Sequence, residues 1–259
     1  MRRPDAAVVI PCYNEAARLD LPAFREFLAG EPPIVLILVN DGSSDATLAV
    51  LQELATAFPE RVQVIDQQPN RGKAEAVRTG MNAAFERGAG YAGYFDADLA
   101  APLTEIARLR GVLEANASVE IVLGSRVQLM GRRIVRSRLR HYLGRVFATV
   151  ASETLGLAVY DTQCGAKLFR ASPVVRELFA ERFIGGWIFD VEIIARRIAA
   201  GRARALPDVE DVIYELPLDT WIDVAGSKVT PVDFVRAILA MWRIRGAYLR
   251  PGARSPSPP

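Results

Sequence analysis

The feature that most constrains this chain is a set of four short apolar runs in its first hundred residues, each followed by a polar cluster. The runs are Ala7–Ile10, Ile34–Val39, Val62–Ile65 and Tyr91–Phe95. Without polar alternation, such runs read as parallel strands buried on both faces. Helical patterns lie between them. Leu48, Leu51, Leu54 and Phe58 share one helix face, with Ser44 or Asp45 as the N-cap. Val77, Met81, Ala84 and Phe85 form a second stripe, closed by Gly88. This alternation predicts βαβ units with right-handed crossovers. Leu103, Ile106, Leu109 and Leu113 continue the pattern, and Val119–Leu123 is a fifth strand.

From Gly131 the texture changes. Arg133–Leu155 is compatible with one long helix carrying Arg133, Arg136, Arg138, Arg140 and Arg145 among apolar residues. A helix over Val191–Ala200, a strand over Val209–Leu216 and a last helix over Val232–Tyr248 follow. The expected architecture is one α/β domain over residues 1–250 with a Pro/Ser-rich, disordered tail over 251–259.

Composition removes several chemistries. His141 is the only histidine, which excludes His-based zinc sites and Ser-His or Cys-His nucleophiles. Two cysteines, Cys12 and Cys164, are too few for a disulfide framework and fit a reducing compartment. A net charge of +2 gives no reason to expect nucleic acid as a partner. No run is long enough to span a membrane and no signal peptide is evident, so the expected location is cytoplasmic. Of the 32 basic residues only Lys73, Lys167 and Lys228 are lysines. In an arginine-rich chain these are notable, because an ammonium and a guanidinium are not interchangeable at a tight phosphate site.

In open parallel sheets ligands bind beyond the carboxyl ends of the strands, where the polar clusters fall. They are Pro11-Cys12-Tyr13-Asn14-Glu15, Asn40-Asp41-Gly42-Ser43-Ser44, Asn70-Arg71-Gly72-Lys73 and Asp96-Ala97-Asp98. Turn chemistry alone favours such residues after any one strand, but not after four in succession. Asp96 and Asp98 can converge on one hard cation, Mg²⁺ or Mn²⁺, whose shell phosphate would complete. Gly72-Lys73 opens a helix, so its free N–H groups and ammonium either meet an anion or are an ordinary helix start. Asp41 either accepts from a ribose hydroxyl or base N–H, or is the first residue of a type I turn.

Together with Val9-Ile10 and Val39, these clusters resemble the inverting family-2 glycosyltransferases of the GT-A fold. Gly124-Ser125-Arg126, Asp161–Phe169, Trp187–Glu192, Trp221 and Gly226-Ser227-Lys228 are similar to the dolichyl-phosphate β-glucosyltransferase branch and its bacterial relatives. The resemblance spans about residues 6–248. It implies a Rossmann-like, mostly parallel sheet flanked by helices. It also implies that Pro11, Tyr13, Glu15 and Asp41 cradle the nucleoside, with Gly72 and Lys73 beside the donor. Asp96 and Asp98 would hold the ion on the diphosphate, and Arg126 would lie near the phosphates or acceptor, with Arg136 and Lys228. Asp190 falls where related hydroxyl-transferring enzymes keep a general base; its alternative is a helix N-terminal acid paired with an arginine such as Arg182. Three departures stand out: Asn40 replaces the first acid of a common double-acid turn, Ala100 replaces an amide ligand, and membrane spans carried by many relatives are missing.

The implied reaction moves a hexose, glucose from UDP-glucose, onto a polyprenyl phosphate by single displacement. A sugar-hydroxyl acceptor, a GDP-mannose donor and a non-catalytic nucleotide-sugar binding module are the alternatives. The implied partners are the donor, a lipid phosphate, an anionic membrane face and a membrane partner protein. Arg133, Arg136, Arg140 and Arg145 beside Leu139, Leu143, Val146 and Val150, with a second patch at Arg236, Arg243 and Arg245 beside Trp242 and Ile244, either meet anionic head groups or are solvated arginines on core helices.

Overall fold

The computed structural model describes residues 4–30, 34–135, 138–224 and 231–250. The first half follows the expected alternation. In order come β1 (Ala6–Cys12), α1 (Leu21–Ala29), β2 (Ile34–Asp41), α2 (Thr47–Ala57), β3 (Val62–Gln67), α3 (Lys73–Glu86), β4 (Tyr91–Phe95), α4 (Glu105–Ala115) and β5 (Ile121–Ser125). The second half adds β6 (Arg133–Val135), α5 (Arg138–Leu155), β7 (Ala166–Arg170), α6 (Pro173–Leu178) and α7 (Phe189–Arg204). It closes with α8 (Val209–Val212), β8 (Ile213–Pro217), β9 (Thr220–Ile222), α9 (Pro231–Ile244) and a π-helical turn, Arg245–Leu249.

Seven strands form one sheet in the order β3-β2-β1-β4-β7-β5-β8. Every pair is parallel except the two made by β7, which runs antiparallel between β4 and β5. β2 is buried at all its positions, the reason its sequence shows no polar alternation. One face is covered by α1, α2 and α4 through Phe24, Leu51, Leu54, Ile106 and Leu109. The other packs under α3, α5, α7 and α9 through Val77, Met81, Phe147, Val191, Ile194 and Met241. This is the expected mostly parallel, helix-flanked sheet.

Four local expectations are corrected. The fifth strand starts at Ile121, because the Val119 N–H closes a turn onto Asn116 O at 3.1 Å. Arg133–Val135 is a strand rather than helix, pairing in parallel with β9 and burying Ile134 between two exposed neighbours. Val209–Val212 is a helical turn, and only Ile213–Pro217 extends as strand. The N-cap of α2 is Ala46; Asp45 instead accepts from Thr47 N–H at 2.9 Å, one position before the cap. Both cysteines are free and buried. Among the described residues no helix is long and apolar enough to cross a membrane. The tail, Arg136 and Lys228 lie outside the described residues.

Candidate active site

The loops after β1 and β2 are laced together. Asn14 N–H donates to Ser43 Oγ at 3.0 Å, Ser44 N–H to Asn14 Oδ1 at 2.8 Å, and Glu15 N–H to Thr47 Oγ1 at 2.8 Å. Pro11 is half-buried in this wall and Tyr13 is exposed. Glu15 is held by Arg18 at 3.2 Å, and the same guanidinium reaches Asp98 at 3.6 Å. Arg18 thus bridges two predicted site residues, a role no motif signalled.

Asp41 is buried, and its carboxylate already accepts four hydrogen bonds. They come from Gln67 Nε2 (2.6 Å), Asn70 Nδ2 (3.0 Å), Arg71 N–H (2.8 Å) and Gly72 N–H (2.8 Å). Those bonds take up about the four lone-pair directions a carboxylate offers. Asp41 therefore builds the Asn70–Lys73 turn, and as it stands its oxygens are not open to a sugar hydroxyl or base N–H. Gly42, at φ +65°, sits where a Cβ would stand 2.3 Å from Asn70 N, so the turn seats directly on it.

That turn delivers Lys73 to the site. Gly72 caps α3 at φ +89°, and the Lys73 ammonium lies 2.5 Å from Asp96 Oδ1. Burial would lower the Lys73 pKa, but the carboxylates of Asp96, Asp190 and Asp98 outweigh it, so the ammonium is held charged. Asp98 accepts from Ala100 N–H at 3.1 Å. Burial, then the neighbouring Asp96, push its carboxyl above the usual range.

β7 brings a second group against this edge. Asp96 N–H donates to Gly165 O at 3.0 Å, and a Cβ on Gly165 would stand 1.9 Å from Asp96 Oδ2. Two residues on, inside β7, the Lys167 ammonium contacts Asp190 Oδ1 at 2.6 Å and Cys164 O at 2.5 Å. Tyr94 Oη donates to the same Asp190 oxygen at 2.6 Å. Asp190 lies in the first turn of α7 as expected, but its partner is Lys167; Arg182 stands 3.8 Å from Glu75 instead. Burial, then Asp190, hold the Tyr94 hydroxyl well above its usual pKa, so it stays a donor.

Arg126 forms a fork with Asp161: Nε to Oδ2 and Nη2 to Oδ1, both at 2.7 Å, with its backbone N–H adding a third bond at 3.1 Å. The guanidinium also lies 5.3 Å from the Trp221 ring centre. Glu215 orders Asp161 in turn, accepting from the N–H groups of Tyr160 and Asp161 at 2.8 Å each.

The structure therefore gathers Lys73, Asp96, Asp98, Asp190 and Arg126 at the carboxyl edge of one sheet. Lys167, Tyr94, Arg18 and Asp161 were not assigned roles by the sequence. For Lys167 a signal existed, since it is one of three lysines among 32 basic residues. Among the described residues no cluster of three or more acidic, cysteine or histidine side chains could enclose a metal alone. Any cation here would have to share its shell with a ligand.

The profile of glycosyl transferase family 2 matches residues 7–176. The dolichyl-phosphate beta-glucosyltransferase of Drosophila melanogaster is 31% identical over 266 residues, covering 93% of this chain and 77% of its own length. The polyprenol monophosphomannose synthase of Mycolicibacterium smegmatis is 28% identical over 249 residues, covering 92% and 87%. Among solved structures, glucosyl-3-phosphoglycerate synthase from Mycobacterium tuberculosis, in complex with Mn²⁺, UDP-glucose and phosphoglyceric acid, superposes with a TM-score of 0.62. It is 18% identical, with 94% of this chain and 80% of that one covered, a likeness of fold.

Proposed function

Because this chain belongs to glycosyl transferase family 2 and is a hexosyltransferase of the GT-A fold, we propose that it moves glucose from UDP-glucose onto a polyprenyl phosphate, inverting the anomeric carbon. The observation that carries the proposal is the Lys73–Asp96 contact at 2.5 Å beside Asp98, at the end of the central strand.

That pair of carboxylates fits a hard divalent cation. Asp96 already has a cation against one oxygen, and Asp98, raised by burial and by Asp96, has Arg18 no nearer than 3.6 Å. Mg²⁺ or Mn²⁺ there would be held by Asp96 and Asp98 and would act as a Lewis acid on the donor diphosphate.

The chain's own residues supply the rest. As the anomeric carbon–oxygen bond breaks, charge develops on the nucleoside diphosphate, and the Lys73 ammonium stands where it can balance that charge. The Asn14–Glu15 and Ser43–Thr47 loops, locked to each other, form a rigid wall for the nucleoside, and the exposed Tyr13 ring beside them presents an aromatic surface to the base. Arg126 keeps its fork on Asp161, so it acts on an incoming phosphate through its outer N–H groups and its fixed charge.

The glucosyl reading follows the Drosophila melanogaster relative, and the Mycolicibacterium smegmatis mannose synthase supports a second donor, GDP-mannose. Both relatives' names include a polyprenol phosphate, so the acceptor is common to the two readings. Calorimetry with UDP-glucose and GDP-mannose in the presence of Mn²⁺ separates them. Tighter binding of UDP-glucose is expected; tighter binding of GDP-mannose would replace the donor.

Attachment to an anionic membrane surface belongs to the same proposal. Ile238, Leu239 and Trp242 are exposed on α9, with exposed Arg236, Arg243 and Arg245 around them, and Tyr142 and Val146 are exposed on α5. Apolar side chains ringed by arginines suit the boundary between head groups and acyl chains, where a lipid phosphate would be met.

A further inference from the structure

Asp190 is fully committed on one oxygen. Its Oδ1 accepts from Tyr94 Oη and the Lys167 ammonium, both at 2.6 Å, and Lys167 is 1% exposed. The Lys167 ammonium also lies 5.3 Å from the Tyr94 ring centre and contacts Cys164 O, in the loop whose next residue, Gly165, accepts the Asp96 N–H. The charged groups around Asp190 are therefore Lys167 from β7, Lys73 from the start of α3 and Asp96 from the end of β4, with neutral Tyr94 from β4. Lys73 contacts Asp96 and feels Asp190 from farther off, whereas Lys167 is the cation in contact with Asp190.

We infer that Lys167 is a positioning residue that balances and orients Asp190 so that the site admits an anionic nucleophile. The inference rests on the polyprenyl-phosphate reading above. A general base must finish its step protonated. If Asp190 took a proton, Lys167 would lose the carboxylate it touches and keep only the more distant Asp161, itself forked by Arg126, an arrangement that is costly for a buried cation. A phosphate monoester makes no such demand, because with a second pKa of about 6 it is already largely dianionic at neutral pH. What it does need is an approach free of unbalanced negative charge, since like charges brought together oppose binding strongly. The Lys167–Asp190 pair meets that need while Tyr94 fixes which carboxylate oxygen faces away from the ammonium.

The test compares wild type, Asp190→Asn, Lys167→Met and the double variant Lys167→Met/Asp190→Asn. Each is assayed with a short-chain polyprenyl phosphate and UDP-glucose, with thermal melts and UDP titration in Mn²⁺ reporting the fold and the donor site. Lys167→Met, which removes the one cation in contact with Asp190 among the described residues, should raise the acceptor KM by about tenfold to a hundredfold while the donor KM holds. The double variant, with both charges gone, should recover most of the acceptor affinity. If Lys167→Met does not fold, the double variant set against Asp190→Asn carries the comparison. An unchanged acceptor KM in Lys167→Met, or a double variant no better than that single one, would overturn the role of Lys167 while leaving the proposed function in place. Recovery of Asp190→Asn turnover by azide or formate would do the same, by showing that Asp190 is a base. If wild type itself transfers to a sugar hydroxyl and to no phosphate, the proposed acceptor falls first and this inference with it.

Discussion

Gly165 and Asp96 are in such close contact that a methyl group on the glycine would occupy the place of the carboxylate, standing 1.9 Å from Oδ2 and 2.2 Å from Cγ. The residue that leads into the antiparallel strand β7 therefore sets where Asp96 can point, and the fit depends on the absence of a side chain.

Gly165→Ala is accordingly expected to act on the site before it acts on the fold. Gly165 is half-buried and its neighbour is the end of one side chain, so the carboxylate can swing away at small cost to stability. Swung away, Asp96 leaves Lys73 and faces Asp98 differently. UDP affinity in Mn²⁺, read by calorimetry, should fall about tenfold or more, the loss expected when a residue that orients a metal-holding carboxylate is changed, with the melting temperature within a few degrees of wild type. Unchanged affinity would show that the orientation of Asp96 is unimportant.

Asp161 and Arg126 make a second prediction, on pH. Burial would raise the Asp161 pKa, but the Arg126 charge and its hydrogen bonds outweigh burial and hold the carboxyl below the usual range. A group depressed in the folded state contributes stability above its unfolded pKa, about 3.9, and that contribution is lost as pH falls through the folded value. Melting temperature should thus drop steeply below about pH 4. Asp161→Asn should remove part of that drop while costing about 3–5 kcal/mol at neutral pH, because Arg126 is left buried and unpaired. An acid limb of the same steepness in the variant would exclude Asp161 as its source.

Much of this site was legible in the sequence, and the reasons are local. Asp96, Asp98 and Lys73 each follow a strand or open a helix, so the βαβ rhythm alone places them on one edge. The glycines of the Asn70–Lys73 and Asn40–Ser44 turns signal backbone that only they adopt easily. What could not be read depends on β7, which enters the sheet antiparallel between β4 and β5, two strands far from it in sequence. That insertion joins Lys167 to Asp190 across 23 positions and Tyr94 to Asp190 across 96. No periodicity encodes such pairings. Asp41 shows the opposite difficulty: its motif was visible, but whether its carboxylate faces the ligand or the loop depends on Gln67 and Asn70, which sequence spacing leaves open.

The membrane-facing reading gives a third expectation. Flotation with vesicles containing anionic lipid at low salt should carry the protein with them, and added salt should weaken the association. Trp242→Ala should reduce it, since the indole is 70% exposed on α9 and suits the interface. No flotation by wild type would mean that α9 presents these residues to something other than a bilayer.

The most direct measurement of the central claim is product formation from radiolabelled UDP-glucose and a short-chain polyprenyl phosphate, with Mn²⁺, by wild type and Asp98→Asn. Wild type should form a glucosyl polyprenyl phosphate in the β configuration, and EDTA should stop it. Asp98→Asn, with a normal melting curve, should lose activity by about 10²-fold or more. Transfer that persists in EDTA, or that survives intact in Asp98→Asn, would contradict the account.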